Sequence, residues 1–159
     1  KVFRKNHLSD RNIWNAGYDM VRLIYPRLKA YIEMNKSGYP STFSEYDENS
    51  GWKSKEEYDK YIASGDMIGG GEKKWEEILK EMLFACEYTI NEDEDGKKAK
   101  AFYKRWNLED PHAKIKKNEC EPILSGKPFY YNVNLAMEYS KRAQEGFKLL
   151  GEYMLNLWD

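Results

Sequence analysis

Cysteine and histidine are scarce in this sequence, with two of each among 159 residues. Two cysteines cannot build a disulfide framework. Cys86 falls on an apolar helix face and Cys120 in a polar connecting stretch, which reads as free thiols in a reducing cytoplasm. Neither His7 nor His112 stands near a distinctive Ser or Cys, so no nucleophile–His–acid set is visible. Neither follows a Glu by three residues on a strong helix either, which removes the Glu-x-x-His pattern of di-iron bundles. An excess of one charge is also missing: 26 Lys and Arg against 27 Asp and Glu leave a net charge of −1. A domain that grips nucleic acid by its phosphates carries a basic excess. No apolar run approaches the ~20 residues of a membrane span, and the opening KVFRKNHLSD lacks the apolar centre of a secretory signal. Gly69-Gly70-Gly71 lacks the spaced Gly-Lys-Ser/Thr of a P-loop and reads as a hinge before a helix.

Aromatic residues, by contrast, are plentiful. Thirteen Tyr, five Trp and six Phe make up 15% of the chain, so much of the core must come from rings with polar tips that need hydrogen-bond partners. The length suits one domain, 1–159, with a sizeable interior.

The stretch around which the chain looks organised is the last one, from Asn134. Ala143, Phe147, Leu150, Met154 and Leu157 recur at helical spacing, and Leu135, Tyr139, Gly146 and Tyr153 widen the stripe. Glu138, Lys141, Glu145, Lys148 and Glu152 face the other way. An Asn at 132 or 134 caps the helix. Gly146 lies on the stripe and suits a close helix crossing; Gly151 lies off it and has no evident role.

A first long helix follows an N-cap at Ser9, with Asp10 in its first turn. It turns Ile13, Gly17, Met20, Val21, Ile24, Leu28 and Tyr31 inward. Pro26 should kink or split it. Ser37-Gly38-Tyr39-Pro40 is a stop signal. Ser54-x-x-Glu57 is a capping box opening a short helix that Gly65 closes. The third long helix spans Glu72 to about Thr89, with Trp75, Ile78, Leu79, Met82, Ala85 and Cys86 as its stripe. A turn from Asn91 precedes a basic and aromatic helix through Phe102 and Trp106, and residues 107–128 are irregular. The sum is an all-α fold, a compact bundle of three long helices with one or two short ones and long irregular loops.

Three stretches, taken in order, resemble a family. They are Trp14 with Ile24-x-Pro26-x-Leu28-Lys29; Trp75-x-x-Ile78-Leu79-x-x-Met82-x-x-Ala85-x-Glu87; and Glu145-Gly146-x-x-Leu149-Leu150-Gly151-x-Tyr153 closing on Leu157-Trp158-Asp159. Together they are similar to small uncharacterised proteins of tailed bacteriophages and marine viral metagenomes. The resemblance implies a phage origin and a helical fold, and carries no mechanism and no catalytic residues.

Several residue sets invite chemistry. Asn91-x-Asp93-x-Asp95-Gly96 matches the first half of an EF-hand loop, but its twelfth position is Phe102 where a bidentate Glu is needed. Glu76, Glu77 and Glu81 approximate the Glu-Glu-x-x-Glu of all-α nucleotide pyrophosphohydrolases. The third acid comes one residue late, which turns it by ~100° on a helix. Arg27, Glu87, Arg142 and Glu145 are the polar residues nearest the buried stripes. Arg142 can pair along its own helix with Glu138 or Glu145, or across to another helix to fix register. Lys100, Phe102, Tyr103, Lys104, Arg105 and Trp106 interleave cations and rings as single-strand binders do, although an amphipathic helix explains the same letters. No catalytic residue, metal ligand or cofactor site is assigned. The favoured function is non-enzymatic: binding to a protein partner or self-association through exposed aromatics, without nucleic acid or membrane. The rival is a Mg²⁺-dependent nucleotide pyrophosphohydrolase.

Overall fold

A computed structural model describes residues 16–34, 38–46, 50–64, 71–92, 96–112 and 131–158. Among them are five α-helices and no strand: α1 Ala16–Glu33, α2 Lys55–Ala63, α3 Gly71–Glu92, α4 Gly96–Arg105 and α5 Val133–Tyr153. Two 3-10 segments, Ser41–Phe43 and Met154–Trp158, complete the set. Ser9, Asp10, Ile13, Trp14, Gly65, Gly69, Gly70, Asp93, Asp95 and Cys120 lie outside the described residues.

The organising helix is α3, not the C-terminal one. Each of the other four helices packs on it, and α5 makes its most extensive contact there. From Phe84 to Tyr88 every residue is buried, the pattern of a helix enclosed by neighbours, while Lys73, Glu76, Glu77 and Lys80 keep one side of its first half exposed. Trp75, Ile78, Leu79, Met82 and Cys86 join Val21 and Leu28 of α1 and Leu150 and Tyr153 of α5 in one buried cluster. Phe84, Ala85 and Tyr88 join Phe102 and Tyr103 of α4 and Tyr139 and Ala143 of α5 in a second. Ile24 is half-buried against the first cluster, while Met82 and Leu150 lie within it.

Local chemistry sets the helix ends. Ser54 Oγ accepts from the Glu57 N–H, and the Glu57 carboxylate turns back to the Lys53 N–H at 2.9 Å, so the capping box closes one residue earlier than its usual form. Asn132 caps α5 through the Leu135 N–H. Past α4, Asn107 takes a positive φ of 52°. There its N–H reaches the Lys104 carbonyl and that of Leu108 reaches Tyr103. This is a Schellman stop with Asn in the left-handed position.

Two helix bounds differ from the expectation. Helix α3 continues to Glu92, so Asn91 is helical and not in a turn. Its amide donates to the Glu87 carbonyl at 2.6 Å, which orients it along its own helix and away from any calcium loop. Pro26 does not split α1, which runs through it as one element. Met20 is 60% exposed, and Gly17 is exposed with open space around it, so neither faces inward.

Candidate functional site

Helix α1 is held on α3 by Val21 and Leu28, with Ile24, Tyr25, Tyr31 and Ile32 partly covered. That contact uses one side of a helix whose apolar residues extend further round. Leu23 and Met34 remain 62% and 63% exposed. The last turn of α5 and its 3-10 extension bring Leu150, Met154 and Leu157 opposite them. Between the two walls lies a cavity of about 590 Å³, open to solvent and floored by the buried Leu28 and Leu150. Arg27 is the one charged residue among those lining it. Its Nη1 donates to the Leu23 carbonyl at 2.6 Å, in the turn before Pro26. That turn is where a proline ring crowds the preceding carbonyls and withholds an N–H.

The remaining polar groups are tied into the packing. Glu87 of α3 is buried. Its Oε1 accepts from the Tyr25 hydroxyl at 3.0 Å, and its Oε2 from the Trp106 indole at 2.8 Å. Arg105 reaches the same Oε2 at 2.5 Å. One carboxylate thus fastens α1, α3 and the end of α4 together. Burial, then the charge and hydrogen bond of Glu87, push the Tyr25 phenol above its usual range. Burial, helped by the same charge, pushes the Cys86 thiol up to about 11, which makes it a poor nucleophile.

Arg142 looks across to α3 instead of along α5. Its Nε and Nη2 form a fork on Glu81 at 2.7 and 2.6 Å. The guanidinium lies 3.9 Å from the Phe84 ring centroid and 5.4 Å from that of Trp106. A planar, bidentate, ring-stacked cation of this kind fixes helix register. Glu145 is exposed and pairs with Lys148 at 2.7 Å, away from the core. Glu57 meets Lys74 at 2.5 Å, and Glu77 accepts from the Tyr61 hydroxyl. Glu57, Glu77, Glu81, Glu87 and Glu145 are therefore dispersed, each with its own partner, and Glu76 is exposed. Among the described residues, no group of three or more His, Cys, Asp and Glu could hold a metal ion.

The aromatic and basic strip of α4 divides in two. Phe102 and Tyr103 are buried against Phe84, Tyr88 and Tyr139. Trp106 is half-buried with its indole N–H on Glu87. Lys100 and Lys104 remain exposed, and Arg105 bends to Glu87. The rings that base stacking would use are engaged in the core.

The sequence offers Arg142 a partner across helices without singling out Glu81, and it does not mark the groove as such. A signal for the groove is present in the sequence: Met20, Leu23, Ala30 and Met34 form a second apolar line on α1, and Met20 belongs to it and not to the buried one. No described helix is long and apolar enough to cross a membrane. Compared with protein families, curated proteins and solved structures, the chain matches none.

Proposed function

We propose that this chain acts by binding protein, with the groove between α1 and the end of α5 as its contact surface, and that it catalyses no reaction. In this reading it is one of the small phage proteins its three motifs resemble, working in the host cytoplasm. Its fold is then a compact bundle of three long helices, the first bent at Pro26. The supporting observation is the groove itself: a recess of about 590 Å³ lined, among the described residues, by aliphatic and methionine side chains, Tyr31 and one cation, Arg27. Contiguous apolar surface left open on a small domain marks an interaction site. The nucleotide-hydrolase alternative needs acids converging on one ion, whereas Glu57, Glu77, Glu81 and Glu87 turn to four separate partners.

An apolar fluorescent dye such as anilinonaphthalene sulfonate tests this reading. The native chain should bind it, and the double variant Leu23→Glu/Met34→Glu should lose it while keeping its Tm. Dye binding indifferent to that variant would refute the groove. A Tm rise requiring Mg²⁺ and a nucleotide together would favour the hydrolase.

A further inference from the structure

Resting on the reading of the groove as a contact surface, we propose that oxidation of Met34 and Met154 switches its binding off. Both line the cavity, Met34 just past the end of α1 and Met154 at the start of the 3-10 extension of α5. A thioether is oxidised according to how far it is open to solvent, and the described methionines divide on that count. Met82 is fully buried in the core, whereas Met20, Met34, Met137 and Met154 are exposed. Of these four, only Met34 and Met154 line the cavity. Cys86 is buried as well, so a peroxide reaches the groove before it reaches the sulfur of the core.

The step is a two-electron oxygen transfer from hydrogen peroxide. The sulfur lone pair attacks one peroxide oxygen, the O–O bond breaks and an S–O bond forms. The other oxygen leaves with both protons as water, so the sulfide is oxidised and the peroxide reduced. The wall of the groove changes character as a result. A thioether is a soft, apolar contact, whereas a sulfoxide is polar and its oxygen calls for a hydrogen-bond donor. Leu23, Ile24, Leu150 and Leu157, which share the cavity with the two methionines, carry no side-chain donor. An apolar surface that covers a sulfoxide there strips it of water without replacing the bond, and binding weakens by that cost. Leucine at the same two positions would build the same walls without this response. The change is reversible, because reductases restore each sulfoxide epimer to methionine.

Titration with anilinonaphthalene sulfonate, before and after dilute hydrogen peroxide, tests the switch on the full chain, with mass spectrometry of its peptides locating the sulfoxides. Once Met34 and Met154 are oxidised, the native chain should bind the dye about tenfold less tightly. Its Tm should hold, because Met82 is spared, and sulfoxide reductases of both epimer specificities should restore binding. Met34→Leu/Met154→Leu conserves volume and should bind the dye equally before and after peroxide. Met20→Leu/Met137→Leu should give no such protection. Undiminished binding with sulfoxide confirmed at Met34 and Met154 would overturn the switch and leave the groove standing. So would a loss that Met34→Leu/Met154→Leu shares, or one accompanied by a fall in Tm, since the sensitive group then lies elsewhere. Dye binding by the unoxidised chain that ignores Leu23→Glu/Met34→Glu would remove the groove reading, and the switch with it.

Discussion

Helices α5 and α1 flank the same central helix and have similar lengths, 21 and 18 residues, yet they end differently. α5 buries Ala136, Tyr139, Ala143, Gly146, Leu150 and Tyr153, whereas α1 buries only Val21 and Leu28. Close approach makes the difference. A Cβ at Gly146 would overlap the Glu81 carbonyl oxygen and stand 2.8 Å from the Ala85 Cβ, so the bare backbone lets α5 press on α3. On α1, Gly17 faces open space. Arg142 then locks the close crossing from its edge, while the corresponding arginine of α1, Arg27, turns back to its own backbone. An apolar stripe records what a helix can cover; whether it becomes core depends on how near its neighbour comes.

The comparison breaks most severely at Gly146. Gly146→Leu should cost about 3 kcal/mol or more by urea unfolding, because the clash is with backbone that cannot swing aside; a loss under about 1 kcal/mol would mean the crossing tolerates a side chain. Glu87→Leu should follow at about 2–3 kcal/mol, as the Tyr25 hydroxyl and Trp106 indole lose their acceptor. The half-exposed Arg105 can turn to water, which keeps the cost below that of a sealed pair. Arg142→Lys should lose about 1 kcal/mol, since an ammonium keeps the charge but neither the fork nor the stacking; a variant matching wild type in Tm would make the pair ornamental. Leu23→Glu on the open side of α1 should change stability by no more than about 0.5 kcal/mol.

Alkaline pH sharpens the same contrast. Burial, with the charge and hydrogen bond of Glu152, pushes Tyr153 up to about 12. Burial is also the leading cause of the rise at Tyr139. A phenol whose folded value exceeds its unfolded value contributes stability that is complete below pH ~10 and lost as pH climbs through the folded value. Unfolding free energy should therefore decline between about pH 10 and 12. Tyr153→Phe should flatten that decline; an unchanged slope would place the sensitivity elsewhere.

Much of this architecture could be read from residue order. The α3 stripe from Trp75 to Cys86, the Ser54 cap, the Asn132 cap and the close crossing at Gly146 each follow from local spacing or cap chemistry, which depend on near neighbours. Tertiary choices were less legible. Periodicity put Met20 and Leu28 on one side of α1, because a broad stripe does not say which of its edges a neighbour will reach. Glu81 and Arg142 lie 61 positions apart, and nothing in either helix alone distinguishes a cross-helix fork from intrahelical pairing. Phe102 and Tyr103 could serve bases or core equally well until α3 is seen beside them.

The Glu87 hub also bears on the order of assembly. Its bond to Trp106 closes a span of 19 positions, while its bond to Tyr25 spans 62. Loop closure becomes costlier with length, so the hairpin of α3 and α4 should form ahead of the α1 contact, and substitutions at Trp106 should slow folding more than substitutions at Tyr25.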